Sequence, residues 1–475
     1  MVRSAAAALR RVAEGIRGDY ARFRARVAGL RDCRGIRPGL HTYRFENEQG
    51  RLRLHLRIHE DGTGLLFINA VQTVHLSPTQ AEMAKLALDG RSRTETMAWL
   101  RACYPQVEEG ELAAGFAGIA EALERIKQGP RGCPACDLGL AQPPPFSVRP
   151  PAPHKADLAL HYACNNHCSH CYNEPGRRAM PSMPTDDWQR VLEKLHQVGV
   201  PYVIFTGGEP TLHPDLPELI AFAESLGQLT GVNTNGRRLS EPEFAGRLAA
   251  AGADHVQITL ASHRREVHDS IVAADAFDET VAGIRNALAA GLHTLTNTTL
   301  IRDNAEEAVE VVSFLHDLGV RTFAMNGMIH SGCGARHPAA LDTSEVRPVL
   351  QRVLARAAEL DMRFLWYTPT EYCDFSPVQA GLGIRCCNAA EFSICIEPNG
   401  DVLPCQSYYE PAGNLLRDPW QGIWESALFR RLRYRREQPA AAGLPERCRD
   451  CPELLECAGG CPLERRAMQT EVIGA

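Results

Sequence analysis

Between residues 158 and 360, short apolar runs alternate with stretches of helical spacing. The runs fall at 158–163, 202–206, 229–234, 255–260, 292–300 and 320–326. Helical spacing occupies 185–198, 215–226, 240–251, 277–290 and 304–318, with a further helix near 343–360. Gly199, Gly227, Gly252, Gly291 and Gly319 each follow a helical stretch, where a left-handed terminating residue is wanted. Strands separated by helices predict a parallel sheet with right-handed crossovers, an α/β fold whose ligands gather at the C-terminal strand ends. The loop after the first strand is therefore the first place to look for chemistry.

The front of the chain follows another rhythm. Leu52, Leu54, Leu56 and Ile58 alternate with Arg51, Arg53, His55, Arg57 and His59, which predicts a half-exposed strand. A turn at Gly62 and Gly64 leads to apolar runs at 65–70 and 73–76. Ser77-Pro78 then reads as the start of a helix ending at Asp89-Gly90, and two more helical stretches lie near 92–102 and 109–127. This pattern predicts a winged-helix-like α+β module over 51–128. Residues 1–50 read as an N-terminal helical extension, Ala- and Arg-rich at first but interrupted by Glu14 and Asp19. The proline-rich stretch 129–153 reads as a linker, and its Cys133 and Cys136 leave incidental thiols and a ligand pair both open. Residues 154–360 form the α/β region. Beyond 361 periodicity fades while cysteine, proline and glycine rise, marking a third region to 475.

Composition changes this picture at one point. The chain has 475 residues, 44% of them hydrophobic and 23% charged, with net charge −6. That is ordinary for a globular protein and leaves no polybasic footprint for nucleic acid. No run reaches the roughly 18 apolar residues of a membrane helix, and no signal-peptide pattern opens the chain, so no membrane partner and a cytoplasmic location are expected. The 17 cysteines are the anomaly. They are bunched and odd in number, which in a reducing compartment favours metal over disulfides.

The first-strand loop reads Cys164-Asn-Asn-His-Cys168-Ser-His-Cys171. Three thiolates in so short a loop suit three corners of a 4Fe–4S cubane, whereas structural zinc wants four ligands. An iron without a protein ligand is what a catalytic cluster needs. This CxxxCxxC resembles the motif of the radical S-adenosylmethionine (SAM) superfamily, and Gly207-Gly208-Glu209-Pro210 after the second strand resembles its GGEP motif. The resemblance implies a partial (β/α)6 TIM-type barrel in which SAM binds the open iron. It places His170 near the adenine and Glu209 against the methionine ammonium. Asn233 and Asn235 after the third strand, with Thr259 after the fourth, fall in regions that touch the SAM carboxylate and ribose. Gly207 and Gly208 read as room for backbone approach to the zwitterion. The implied chemistry is one-electron cleavage of SAM to a 5′-deoxyadenosyl radical, fed by an external flavodoxin- or ferredoxin-type reductant. No residue is singled out for quenching the radical.

The third region resembles a SPASM domain, which carries one or two auxiliary 4Fe–4S clusters. Its spacing is Cys387-x12-Gly400-x4-Cys405, followed by Cys448-x2-Cys451-x5-Cys457-x3-Cys461. The resemblance implies an inner cluster on Cys387, Cys405 and Cys461, with Cys373 as fourth ligand and Cys386 competing. Cys448, Cys451 and Cys457 would hold an outer cluster. Its usual last cysteine is missing after Cys461, which leaves an open iron, a non-thiol ligand, Cys395, Cys333 or no outer cluster as alternatives. The front module resembles the PqqD-like peptide-recognition domain of ribosomal-peptide maturation. Together these resemblances imply a maturase acting on a ribosomally synthesised precursor peptide. Alternatives are action on a protein side chain or a small molecule such as a tetrapyrrole, and a non-catalytic iron–sulfur carrier or a DNA-binding regulator.

Overall fold

The computed structural model describes residues 36–47, 50–69, 72–129, 138, 140 and 142–473, and the chain divides into two compact units, 1–142 and 143–475. The first unit is an antiparallel meander of four strands, β1 (Gly39–Asn47), β2 (Gly50–Ile58), β3 (Gly64–Ile68) and β4 (Gln72–Leu76). Three helices follow: α1 (Pro78–Leu88), α2 (Arg93–Cys103) and α3 (Glu109–Lys127). Ser77 with Gln80, and Ser92 with Glu95, close reciprocal capping boxes at the starts of α1 and α2.

Three sequence expectations change here. Residues 39–47 are a strand, not part of a helical extension; the alternation His41, Tyr43, Phe45 was its signal, and it pairs along its whole length with β2. Residues 1–35 lie outside the described residues. β2 is buried on both faces rather than half-exposed: Arg53 and Arg57 are 3% and 2% accessible, and the Arg57 guanidinium sits 5.2 Å from the Phe67 ring centroid. Apart from the exposed Arg51, its basic face is therefore not offered to solvent. Finally, the stretch read as a linker is shared between the units. Leu138 joins the first unit's core and Gln142 bonds to β4, while Arg149 pairs with Glu437 in the second. Cys133 and Cys136 lie outside the described residues.

The second unit is built on a nine-stranded sheet. Its central strands are β5 (Lys155–His161), β6 (Tyr202–Gly207), β7 (Leu229–Thr234), β8 (His255–Thr259), β9 (His293–Thr299), β10 (Thr322–Asn326) and β11 (Arg363–Trp366), all parallel and in sequence order. Helices α4 (Thr185–Gln197), α5 (Leu216–Leu226), α6 (Pro242–Ala250), α7 (Arg265–Val272), α8 (Phe277–Ala289), α9 (Ala308–Asp317) and α10 (Thr343–Glu359) connect them. The six-strand reading missed β11, four residues long, and α7, which lies directly behind the fourth strand's loop. At the β5 edge, β12 (Ser393–Ile396) adds in parallel and β13 (Val402–Leu403) closes a hairpin, so the cysteine-rich region continues the same sheet.

The strands alternate in a way that sets up the site. Leu158, Leu160, Val203, Phe205, Val232, Val256, Ile258, Phe323 and Met325 join the main apolar core. Their alternate neighbours include Asp157, His161, Thr206, Asn233, Gln257, Thr259, Asn297, Thr299 and Asn326, so the opposite face of the sheet is largely polar. Asn233 lies beside Gln257, Thr259 beside Asn297 and Thr299 beside Asn326.

A titration test follows for the first unit. Tyr104 donates to the Glu82 carboxylate on α1, yet burial pushes that carboxyl up to about 7, the hydrogen bond offsetting it only in part. The folded state thus holds a proton that the unfolded chain releases above about 4.5. Stability from this group is full below that pH and declines as pH rises towards 7. Glu82→Gln should therefore raise the thermal midpoint of the full chain's first unit by a few degrees at pH 8, with the gain vanishing near pH 4.5. Thermal melts followed across that range check it; a constant offset at every pH would refute the assignment.

Candidate functional site

The three clustered thiols stand on the loop leaving β5. Their loop is pinned from four sides. His167 and Ser169 donate their amides to Val272 O and Ile271 O at the end of α7, at 2.9 and 3.0 Å. Cys333 donates its amide to Cys171 O at 2.8 Å from the loop after β10. Arg237, after β7, donates to Asn165 O at 2.6 Å and Asn166 Oδ1 at 3.0 Å. Asn173 donates to Gly207 O at 2.8 Å. No regular element holds Cys164, Cys168 and Cys171; neighbouring strand ends do.

The two glycines of the second loop meet a demand of the backbone itself. A Cβ on Gly207 would lie 2.2 Å from His161 O, and one on Gly208 would lie 2.2 Å from Ala163 O and 2.6 Å from Tyr162 O. Gly207 also takes φ +127°, a conformation that side chains resist. The pairing register slips between Ala159 and His161 at this point. The amides of Gly208 and Glu209 then bond to His161 O at 2.7 Å and Ala163 O at 2.9 Å. The missing side chains are thus needed for β6 to press onto the backbone that leads into Cys164.

Glu209 has structural contacts beside the role expected of it. It is 1% exposed, and its carboxylate already accepts from Thr211 N (3.1 Å), Thr211 Oγ1 (2.6 Å), Thr234 Oγ1 (2.6 Å) and Asn235 N (2.7 Å). Burial pushes its carboxyl up, and these donors pull it back. The side chain fastens the β6 loop to the β7 loop, with three donors on Oε1 and one on Oε2. Pro210, buried, opens the short turn that brings Thr211 round. Asn235 extends the knot by donating to Asn165 Oδ1 at 2.7 Å in the thiol loop. Sequence reading missed Asn165, Asn173, Thr211, Thr234 and Arg237. Polar residues at strand ends were the available signal.

The remaining named residues keep free capacity. Asn233 and Thr259 are half-buried at their strand ends with no side-chain hydrogen bond among the described residues. His170 lies within the thiol loop; burial, with help from His337, lowers it to about 4, and its Nδ1 is sealed off without a partner.

The donor set fits an iron–sulfur cluster. Burial raises the Cys164 thiol to about 11 and Cys168 to about 12, and Cys171 rises too. Cys171 and Cys164 add to the shift at Cys168, so the three groups converge, with Arg178 as the nearby cation. Enclosed thiols that oppose one another's ionisation are best relieved by a multivalent cation centre.

The C-terminal cysteines separate into two sets. Cys405 feels Cys387 and Cys461, and Cys461 feels Cys387, which gathers the inner three. Cys448 feels Cys457 and Cys451. Cys373 departs from its expected place in the inner set: it is exposed, and its neighbours are Glu371, Asp374 and Arg447. Cys386 is buried and receives a bond from Arg436 at 3.4 Å. Cys395 sits on β12 near Cys405, and Cys333 sits by Cys171, so neither joins the outer set. The two regions touch where Tyr172 donates to Gln406 Oε1 at 3.3 Å, each residue following a thiol of its own set.

Gly208→Ala should force β6 off β5. We expect a thermal midpoint lower by several degrees and loss of iron from the Cys164 loop, while Gly246→Ala on α6, where nothing lies within 4 Å of the new methyl, should keep the iron and leave the midpoint the same or slightly higher. Iron analysis and thermal melts of both variants decide; an unaffected Gly208→Ala would contradict the steric account.

Comparison with known proteins agrees with this architecture. Residues 159–315 match the radical SAM superfamily model, and 386–452 match the SPASM iron–sulfur cluster-binding domain. The PqqA peptide cyclase of Streptomyces rochei is 31% identical over 322 residues, covering 65% of this chain and 84% of the relative. The mycofactocin maturase MftC of Mycobacterium tuberculosis is 33% identical over 312 residues, covering 64% and 76%. Among solved structures, Streptococcus suis SuiB bound to its precursor peptide SuiA shares the fold at TM-score 0.62 and 16% identity, covering 89% of this chain and 96% of SuiB. A radical SAM enzyme of this kind uses SAM and 4Fe–4S clusters. With a relative above 30% identity matched over most of its length, this chain belongs to the radical SAM superfamily and carries a SPASM domain.

Proposed function

We propose that the chain is a maturase that binds a ribosomally synthesised precursor peptide and modifies it by hydrogen abstraction. The observation that carries this is the 31% identity to a peptide cyclase over 84% of its length, joined to a three-thiol loop at the polar strand ends. Cys164, Cys168 and Cys171 would hold the cluster that, once reduced by a flavodoxin- or ferredoxin-type partner, supplies the electron for cleaving SAM to methionine and a 5′-deoxyadenosyl radical. Around it, Glu209, Asn235 and Arg237 hold the loop in register. Asn233 and Thr259 have unspent hydrogen-bonding groups for the SAM carboxylate and ribose, and His170, a neutral and partly exposed ring in the thiol loop, suits the adenine. The polar face of Gln257, Asn297 and Asn326 suits a peptide main chain better than an apolar substrate.

The first unit is the natural receiver of a leader peptide, in the manner of a PqqD-like domain. Its β4 edge presents main-chain groups outward: Gln142 accepts from His75 N at 2.9 Å and donates to His75 O at 3.4 Å, as a neighbouring strand would. Thr73, exposed and of the same parity, faces the same way. A leader adding as a fifth strand would take these groups. The buried Arg53 and Arg57 weigh against the DNA-binding alternative.

Anaerobic protein given SAM and dithionite should release 5′-deoxyadenosine, and the combined Cys164→Ala, Cys168→Ala, Cys171→Ala variant should release none. Thr73→Pro removes an outward donor without breaking the ladder to β3. It should reduce modification of a precursor peptide encoded beside this gene at least tenfold by mass spectrometry, while 5′-deoxyadenosine formation without peptide stays unchanged. Undiminished modification would move the leader site off β4.

A further inference from the structure

The outer thiol set lacks the closing cysteine that SPASM patterns place after the last member of the run, and the structure brings one from upstream. Tyr372 donates its amide to Cys457 Sγ at 3.4 Å, and Cys457 donates in turn towards Thr370 O at 3.7 Å. The segment 370–373 therefore runs directly along Cys457. It is fixed on its other side too, since Thr370 N bonds to Arg385 O at 3.3 Å and Tyr372 Oη accepts from Arg385 N at 3.0 Å. Gly460 packs so closely on Glu371 that a Cβ there would come within 2.7 Å of Glu371 Cγ. The next residue, Cys373, is reached by Arg447, the residue before Cys448. That guanidinium donates to Glu371 Oε2 at 2.8 Å, and the Cys373 thiol is directed at the same oxygen at 3.9 Å. Contacts from both ends of the outer run, at Arg447 and at Cys457, thus bracket the Cys373 segment.

Resting on the reading of Cys448, Cys451 and Cys457 as cluster ligands, we infer that Cys373 is the fourth ligand of the outer cluster, which is then fully held by thiolates. Three observations favour it over the other groups. Cys373 is exposed and directs its thiol at Glu371, the carboxylate that Arg447 holds from the position before Cys448. Cys395 and Cys333 are held elsewhere, by β12 and by the Cys171 backbone. Glu371 and Asp374 put carboxylate oxygens within 4.8 Å of the Cys373 sulfur, but iron–sulfur clusters take thiolate and Glu371 is already engaged by Arg447. An outer cluster without a vacant iron can only carry electrons. It does not bind substrate directly, and its exposed corner suits exchange with an external reductant.

The test uses full-length, anaerobically reconstituted protein and iodoacetamide, with peptide mass mapping. Cys373, Cys448, Cys451 and Cys457 should all resist alkylation while iron is bound, and Cys373 should become reactive once a chelator strips the iron. Rapid alkylation of Cys373 while the other three stay protected would overturn the assignment. Rapid alkylation of Cys448 and Cys451 as well would remove the outer cluster itself, and the assignment with it. Separately, Cys373→Ala should lose about one iron per chain and gain the electron paramagnetic resonance signal of an oxidised three-iron cluster, whereas Cys386→Ala should not. The reverse result would make Cys386 the fourth ligand. The labelling experiment needs no variant and decides even where Cys373→Ala fails to fold.

Discussion

Backbone contact between the ends of β5 and β6 is the constraint on which the rest depends. Two adjacent glycines let the second strand press its main chain onto His161, Tyr162 and Ala163 with no room for a methyl group. This fixes where the chain leaves the sheet for Cys164. It also delivers Glu209 to a buried position where four donors from two loops meet one carboxylate. A charge buried so completely is tolerated because it is satisfied, and its satisfaction locks two strand ends together. The thiol loop, which has no secondary structure of its own, inherits its order from that knot through Asn235 and Arg237.

The same sheet carries the auxiliary region. β12 pairs in parallel with β5, so the hairpin that leads to Cys405 is registered against the strand that leads to Cys164. Tyr162 donates to Glu397 at 2.9 Å, Arg177 pairs with the same carboxylate, and Tyr409 donates to Asn173 Oδ1 at 3.0 Å. The Cys164 loop and the inner thiol set are therefore parts of one framework, and Tyr172 with Gln406 forms a short polar bridge between them.

Much of this was legible in the chain. The six long strands of the second unit and the helices between them announce themselves by period, because each strand must bury one face under helices. The CxxxCxxC and GGEP segments were legible as motifs, yet their physical roles were only half legible. Nothing in the letters Gly207-Gly208 says whether the empty space serves a ligand or a neighbouring strand. β1 was hidden because none of its residues is fully buried and only Tyr43 and Phe45 pack on the core, and β2 looked half-exposed because charged residues rarely sit 2–3% accessible, as Arg53 and Arg57 do. The place of Cys373 depends on tertiary contact across more than seventy residues, through Tyr372 and Cys457, which spacing alone does not encode.

The central claim is that the Cys164 loop holds a cluster with one iron open to SAM. It is tested most directly by electron paramagnetic resonance of the reduced protein, in wild type and in a chain lacking all three loop thiols, before and after SAM is added. The account predicts that SAM changes the signal of one cluster in the wild type, and that this cluster alone is missing from the variant. A spectrum indifferent to SAM, or a SAM-responsive cluster that survives without Cys164, Cys168 and Cys171, would contradict it.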